Sequence, residues 1–135
     1  MAKISKNDMT QLKSFAAPPQ GVKDVLYAAL VLLGDDIDAR TDYTRVIRKS
    51  LVGLEKRCEA LDASKVPLNV ALGAKVLMKG ATSDNIKNKS MAAHLVFLWD
   101  QYVIDTVLSQ YSEEEISRTV PSTEKEPEVR EAINL

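Results

Sequence analysis

Few residues in this chain have side chains that could do chemistry. There is one histidine, His94, and one cysteine, Cys58. His94 lies in "MAAHLVFLW", amid Ala92, Ala93, Leu95 and Val96. No nucleophile stands beside it in sequence, so it reads as a core or boundary histidine rather than a general base. One cysteine excludes an internal disulfide and points to a reducing compartment. Cys58 itself reads as a small buried apolar group. One His and one Cys make no metal cluster of recognisable spacing. The "EEE" of Glu113 to Glu115 precedes Ile116. Acids there favour a helix dipole, so this is read as a solvated helix start rather than a cation site. Trp99 reads as core rather than as an interface anchor. No Gly-rich phosphate loop is present. No catalytic residue, metal or cofactor is therefore expected, and the chain is read as a binding protein rather than an enzyme.

The basic residues offer more. Lys23 follows a proline pair, and Lys87 and Lys89 fall in the first turns of a helix read from Asn85. Cations at a helix N-terminus oppose the dipole. That placement hints at an acidic partner, against the plainer reading of solubilising lysines.

The totals favour one domain able to bury a core unaided: 135 residues, 45% apolar and 27% charged. The net charge is −1 but unevenly spread. Residues 1 to 110 carry 15 Lys/Arg against 12 Asp/Glu, and residues 111 to 135 carry 3 against 7. A mildly basic body (1–111) is thus expected to precede an acidic, largely irregular tail (112–135) that contributes little to the core. Overall attraction to nucleic acid or lipid headgroups is not indicated. The N-terminus is polar, without the apolar region of a secretory signal. The longest apolar run, Val25 to Leu33, is too short to span a bilayer.

Apolar periodicity predicts the elements that carry these residues. Met9, Leu12 and Phe15 mark a short first helix, broken at Pro18 and Pro19. Val22, Val25, Leu26, Ala29, Leu30 and Leu33 form a stripe on a second helix that starts near Pro19 and stops at Gly34. Thr41 or Asp42 caps a third, with Tyr43, Val46, Ile47, Leu51 and Leu54 on one face. Its other face holds Arg45, Arg48, Lys49, Lys56 and Arg57. Pro67 opens a fourth, ending at Gly80, with Gly73 inside it as a point of close packing. Ser83 or Asp84 caps the longest helix, Asn85 to about Gln110. One of its apolar edges is Ile86, Ala93, Phe97, Val103 and Val107. The other is Met91, Leu95, Leu98 and Tyr102, so the helix is expected to pack centrally. A short helix follows near Ser112 to Arg118. The fold class is all-α, a compact bundle of about five to six helices.

The block "LKSFAAPPQGVKDVLYAALVLLG" resembles the entry to the microtubule-binding domain at the stalk tip of dynein heavy chains. In that family a Lys-Ser segment ends the ascending stalk helix. A proline pair follows, then a V–x–x–V–L helix ending in Leu-Leu-Gly. "DYTRVIRKSL", "ALDASKVP" and "SDNIKNKSMAAHLVFLWDQYV" are similar, in order, to the family's later helices. The likeness covers roughly residues 8 to 107. It is most specific at the proline pair, and the later blocks add weight by order and spacing. It implies a helical bundle that grips the groove between tubulin subunits. Lys23 and the segment Lys87, Asn88, Lys89, Ser90 would carry the contact, and Pro18 and Pro19 would form a structural hinge. Asn88 stands where the family has arginine. Two long stalk helices and a motor are missing, since only Ile4 to Phe15 could belong to the ascending helix. The implied function is that of a non-catalytic microtubule-binding or axonemal structural protein, with other axonemal or dynein-associated proteins as further partners. Its place would be the cytoplasmic cytoskeleton or the axoneme of a cilium or flagellum. The alternative is a helical adaptor or scaffold that binds another cytoskeletal or ciliary protein and has lost tubulin.

Overall fold

A computed structural model describes residues 4–15, 17–38 and 40–123. Residues 1–3, Ala16, Ala39 and residues 124–135, the last half of the expected tail, lie outside the described residues. Among the described residues all regular structure is helical: α1 (Lys6–Lys13), α2 (Gln20–Leu32), α3 (Arg48–Ser50), α4 (Leu54–Ala60), α5 (Leu68–Leu77), α6 (Ser83–Lys89), α7 (Met91–Leu108) and α8 (Glu113–Arg118). A π turn, Tyr43–Ile47, leads into α3, and a 3-10 turn, Ala63–Lys65, precedes α5.

α2 is the centre of the bundle. Val22 and every residue from Val25 to Leu32 are buried. A helix apolar all round needs cover all round, and α5, α6 and α7 supply it. Pro19 is its N-cap, with ψ 151°. Its other end is closed by Gly34 at φ +96°, a value that favours glycine. The Gly34 amide donates to the Val31 carbonyl at 3.0 Å and the Asp35 amide to the Leu30 carbonyl at 2.9 Å. This is a Schellman closure that satisfies the free carbonyls of the last turn. Just beyond it Asp35 accepts both arms of the Arg57 guanidinium, at 2.7 and 3.1 Å. Arg57, read with the basic face of the third helix, thus clamps α4 to the end of α2.

Two expected helices are broken, which is why there are eight segments rather than five or six. The third helix stops at Gly53, where φ is +73°. Tyr43, Ile47, Leu51 and Leu54 remain inside, but Val46 is turned out to solvent. The long helix breaks at Ser90, which is extended, with φ −165° and ψ 123°. The Ser90 amide closes α6 by donating to the Ile86 carbonyl at 2.9 Å. Its hydroxyl accepts from the Ala93 amide at 3.1 Å and opens α7. One residue thus ends one helix and caps the next, as serine is suited to do. α6 folds back on α7. Its own N-cap is Thr82, not Ser83 or Asp84.

The start of the expected tail is attached to the body. α8 has a capping box between Ser112 and Glu115. Beyond it, the Ser122 amide donates to the Asn69 carbonyl at 2.9 Å and the Thr123 hydroxyl to the Gly73 carbonyl at 3.1 Å. Chain as far as Thr123 therefore lies along α5. Gly73 makes room for it, because a Cβ there would strike the Ser122 hydroxyl and come within 3.1 Å of the Thr123 amide. Gly73→Ala is expected to leave the melting temperature nearly unchanged. A helix gain of about 1 kcal/mol offsets the displaced contacts. Hydrogen exchange at the Ser122 amide should speed up at least tenfold. Unchanged exchange would show that this strand of chain is not held by α5.

Candidate binding surface

Each residue expected to contact a partner can now be placed. Pro18 and Pro19 sit between α1 and α2, with Pro19 capping α2. Lys23 lies on the first turns of α2. Its ammonium stands 5.4 Å from the centre of the Tyr27 ring, a cation–π distance. The Tyr27 hydroxyl donates to the Thr41 carbonyl at 2.5 Å. Burial pushes this phenol up to about 12. Lys23, Pro18 and the loop Arg40 to Thr44 border a shallow hollow of about 390 Å³. Lys87, Asn88 and Lys89 are all exposed on α6. Ser90 is buried, and its hydroxyl is engaged as the α7 cap.

The fold brings the two basic segments to one end of the molecule. A Cβ on Gly21 would meet the Ile86 Cδ1 at 2.9 Å and the Lys89 Nζ at 3.9 Å. Ile86 is fully buried, so α6 is pinned to the first turn of α2. Gly21 and Lys23 are two residues apart, hence about 200° apart around the helix. Lys89 therefore approaches α2 from one side, while Lys23 points along the other toward the 40–44 loop. They flank the α2 N-terminus and do not form a single tight cluster.

One inference from the sequence is overturned. Lys87 and Lys89 are not at a helix N-terminus. They occupy the last turn of α6, where cations complement the dipole. The break at Ser90 moved them from the unfavourable end of one helix to the favourable end of another. Their position therefore carries no strain that an acidic partner would relieve.

The other candidates for chemistry resolve as follows. The Ser83 hydroxyl lies 2.8 Å from His94 Nε2, a contact across eleven residues that the linear sequence does not show. His94 also stacks on Phe97 at 6.3 Å between ring centres. No carboxylate hydrogen-bonds the other ring nitrogen among the described residues, so the pair lacks an orienting group. Trp99 is buried in the core. Among the described residues no group of three His, Cys, Asp or Glu side chains could hold a metal ion. No helix there is long and apolar enough to cross a membrane.

Cys58 is buried, and burial pushes its thiol up to about 12. Only the thiolate reacts readily. Native protein at pH 8 should therefore be alkylated by iodoacetamide at least a hundredfold more slowly than protein in denaturant. Equal rates would place Cys58 at the surface.

Sequence reasoning missed Asp100. It is completely buried, and neither carboxyl oxygen has a hydrogen-bond partner among the described residues. Burial raises its pKa well above the ordinary carboxylate value. Apolar flanks on both sides in "FLWDQYV" were the available signal, since an acid at that helical position must face inward. In comparisons with known proteins, no family model, curated protein or solved structure matches this chain.

Proposed function

We propose that this chain binds the microtubule lattice without catalysis, as a structural relative of the dynein stalk-tip domain. The observation that carries the reading is the seating of α6 on the first turn of α2 through Ile86 and Gly21. It sets Lys87, Asn88 and Lys89 beside the α2 end that bears Lys23, although more than sixty residues separate them in sequence. Those are the two segments that the resemblance assigns to tubulin. The all-helical bundle and the proline-capped α2 are compatible with it. Ser90 contributes from beneath, by ending α6 and fixing the direction of its lysines.

The acidic lattice would be recognised by charge, so binding should weaken with salt. The test is cosedimentation of the purified chain with taxol-stabilised microtubules across a salt series. Saturable pelleting at low salt that fades as salt rises supports the reading. If the folded chain stays in the supernatant at low salt, the tubulin reading fails and the adaptor reading takes its place.

A further inference from the structure

The second apolar edge expected of the long helix does not enter the core. Met91, Leu98 and Tyr102 are 56%, 39% and 52% exposed, and Leu95 between them is only partly covered. These four recur at intervals of 4, 3 and 4 residues. That is the a/d spacing of a two-stranded helical seam, running almost straight down about three turns of α7. The same helix carries no Lys or Arg. Its two carboxylates are Asp100, inside, and Asp105, at the far end of the stripe. His94, Gln101 and Thr106 flank the stripe. A surface helix normally displays charge on its outer face, and this one presents an apolar seam with a single charged residue at its edge.

We propose that this face of α7 is a homodimer interface, in which α7 packs antiparallel against α7 of a second copy. One feature favours a second copy over a different protein, although Lys75 and Lys79 of α5 border Gln101 and Asp105 beside the stripe. The stripe is self-complementary when reversed. Leu95 then opposes Leu98 of the other copy, and Met91 opposes Tyr102. This is the reciprocal pairing that a two-fold axis requires. In that register Asp105 falls just beyond Met91 of the other copy, at the positive end of its α7 dipole. A parallel pair would instead set Asp105 against Asp105. Three turns of helix offer roughly half of the ~800 Å² per partner of a standard interface, so the dimer is weak and concentration-dependent. The seam begins at Met91, next to the Lys87 to Ser90 segment assigned to tubulin, and its test uses no microtubules.

The test is sedimentation equilibrium of the full chain from about 10 µM to 1 mM. A shift from monomer to dimer over that range is expected. Leu98→Lys should raise the dimer dissociation constant at least tenfold with an unchanged circular dichroism spectrum. Lys is expected to fold at this exposed position, and Met91→Lys provides a second variant if it does not. Register is read by disulfide trapping. A mixture of Leu95→Cys and Leu98→Cys chains should crosslink faster than either variant alone. A monomer at 1 mM, or folded variants that dimerise as wild type does, overturns the proposal. Faster crosslinking of Leu98→Cys with itself overturns the antiparallel register.

Discussion

Asp100→Asn is expected to melt higher than the wild type at pH 8, by about 3–10 °C, and to lose most of that advantage at pH 4. The wild-type carboxyl is fully buried on the inner side of α7, without a hydrogen-bond partner among the described residues. Neither Lys nor Arg pairs with it there. The nearby ionisable groups do not help: the Cys58 thiol is neutral, and Glu55 also has a buried oxygen without a partner. A buried ion in such a place is costly, and the group neutralises instead. Burial accordingly raises the Asp100 pKa well above 3.8. The sign follows from proton binding. The folded chain holds this proton to a higher pH than the unfolded chain does. Stability from this group is therefore complete below the unfolded value and falls as pH rises toward the folded one. Asparagine keeps the shape but carries no ionisation, so the pH-dependent loss disappears. About 1.4 kcal/mol is lost for each pH unit between the unfolded and folded values, and a loss of about 1–3 kcal/mol corresponds to that shift in melting temperature for a domain of this size. Ser90→Ala, which removes the α7 cap, serves as a control that should lower stability equally at both pH values. If Asp100→Asn is destabilised to the same extent at pH 4 and pH 8, the carboxylate is ionised and paired in the fold.

The course of the chain was legible wherever one local signal acted alone. The stripe on α2, its start at Pro19 and its stop at Gly34 follow from apolar spacing and from two residues with restricted or permissive backbones. The breaks at Gly53 and Ser90 were harder to see because the apolar spacing runs through them. At Gly53 the chain takes a left-handed value that only glycine accepts readily. At Ser90 a side-chain cap outweighs propagation of the helix, and the periodicity of "DNIKNKSMAAHLVFLW" gives no sign of it. That one break decides most of what was misread. It reverses the dipole argument for Lys87 and Lys89 and buries the hydroxyl of Ser90. Folding α6 back also brings Ser83 to His94. The outward turn of Met91, Leu98 and Tyr102 was hidden for a related reason. A helix with two apolar edges can be covered on both sides or on one, and spacing alone does not distinguish them. The end of the bundle proposed to bind was legible only as separate segments. Their meeting at Gly21 depends on a close approach between α2 and α6 that is fixed by tertiary packing.

Reversal of Lys23, Lys87 and Lys89 to glutamate is expected to weaken microtubule binding roughly tenfold to a hundredfold at low salt, with helicity unchanged. Lys87 and Lys89 are exposed and make no ion pair with another described residue, so their loss should not disturb the core. Their reversal does put two acids at the C-terminal end of α6, against its dipole. Lys87→Gln with Lys89→Gln separates the two effects, since it removes the charge with a smaller dipole penalty. Lys23 differs, because its ammonium rests over Tyr27. Engaging an acidic partner there competes with a contact of about 0.5–1 kcal/mol. Lys23→Glu alone is therefore expected to cost less affinity than the α6 pair. Each exposed charge acts mainly on association rate, so the difference from wild type should shrink as salt approaches about 0.5 M, where screening is strong. Truncation after Thr123 retains the contacts on α5 and removes four of the seven tail carboxylates, Glu124, Glu126, Glu128 and Glu131. Those acids repel an acidic lattice, so this truncated chain should bind as well as or better than the whole. If wild type pellets with microtubules and the folded triple reversal pellets equally at low salt, the end of the bundle formed by α2 and α6 is not the contact surface. The exposed basic side chains Arg45, Arg48 and Lys49 would then be the next to reverse.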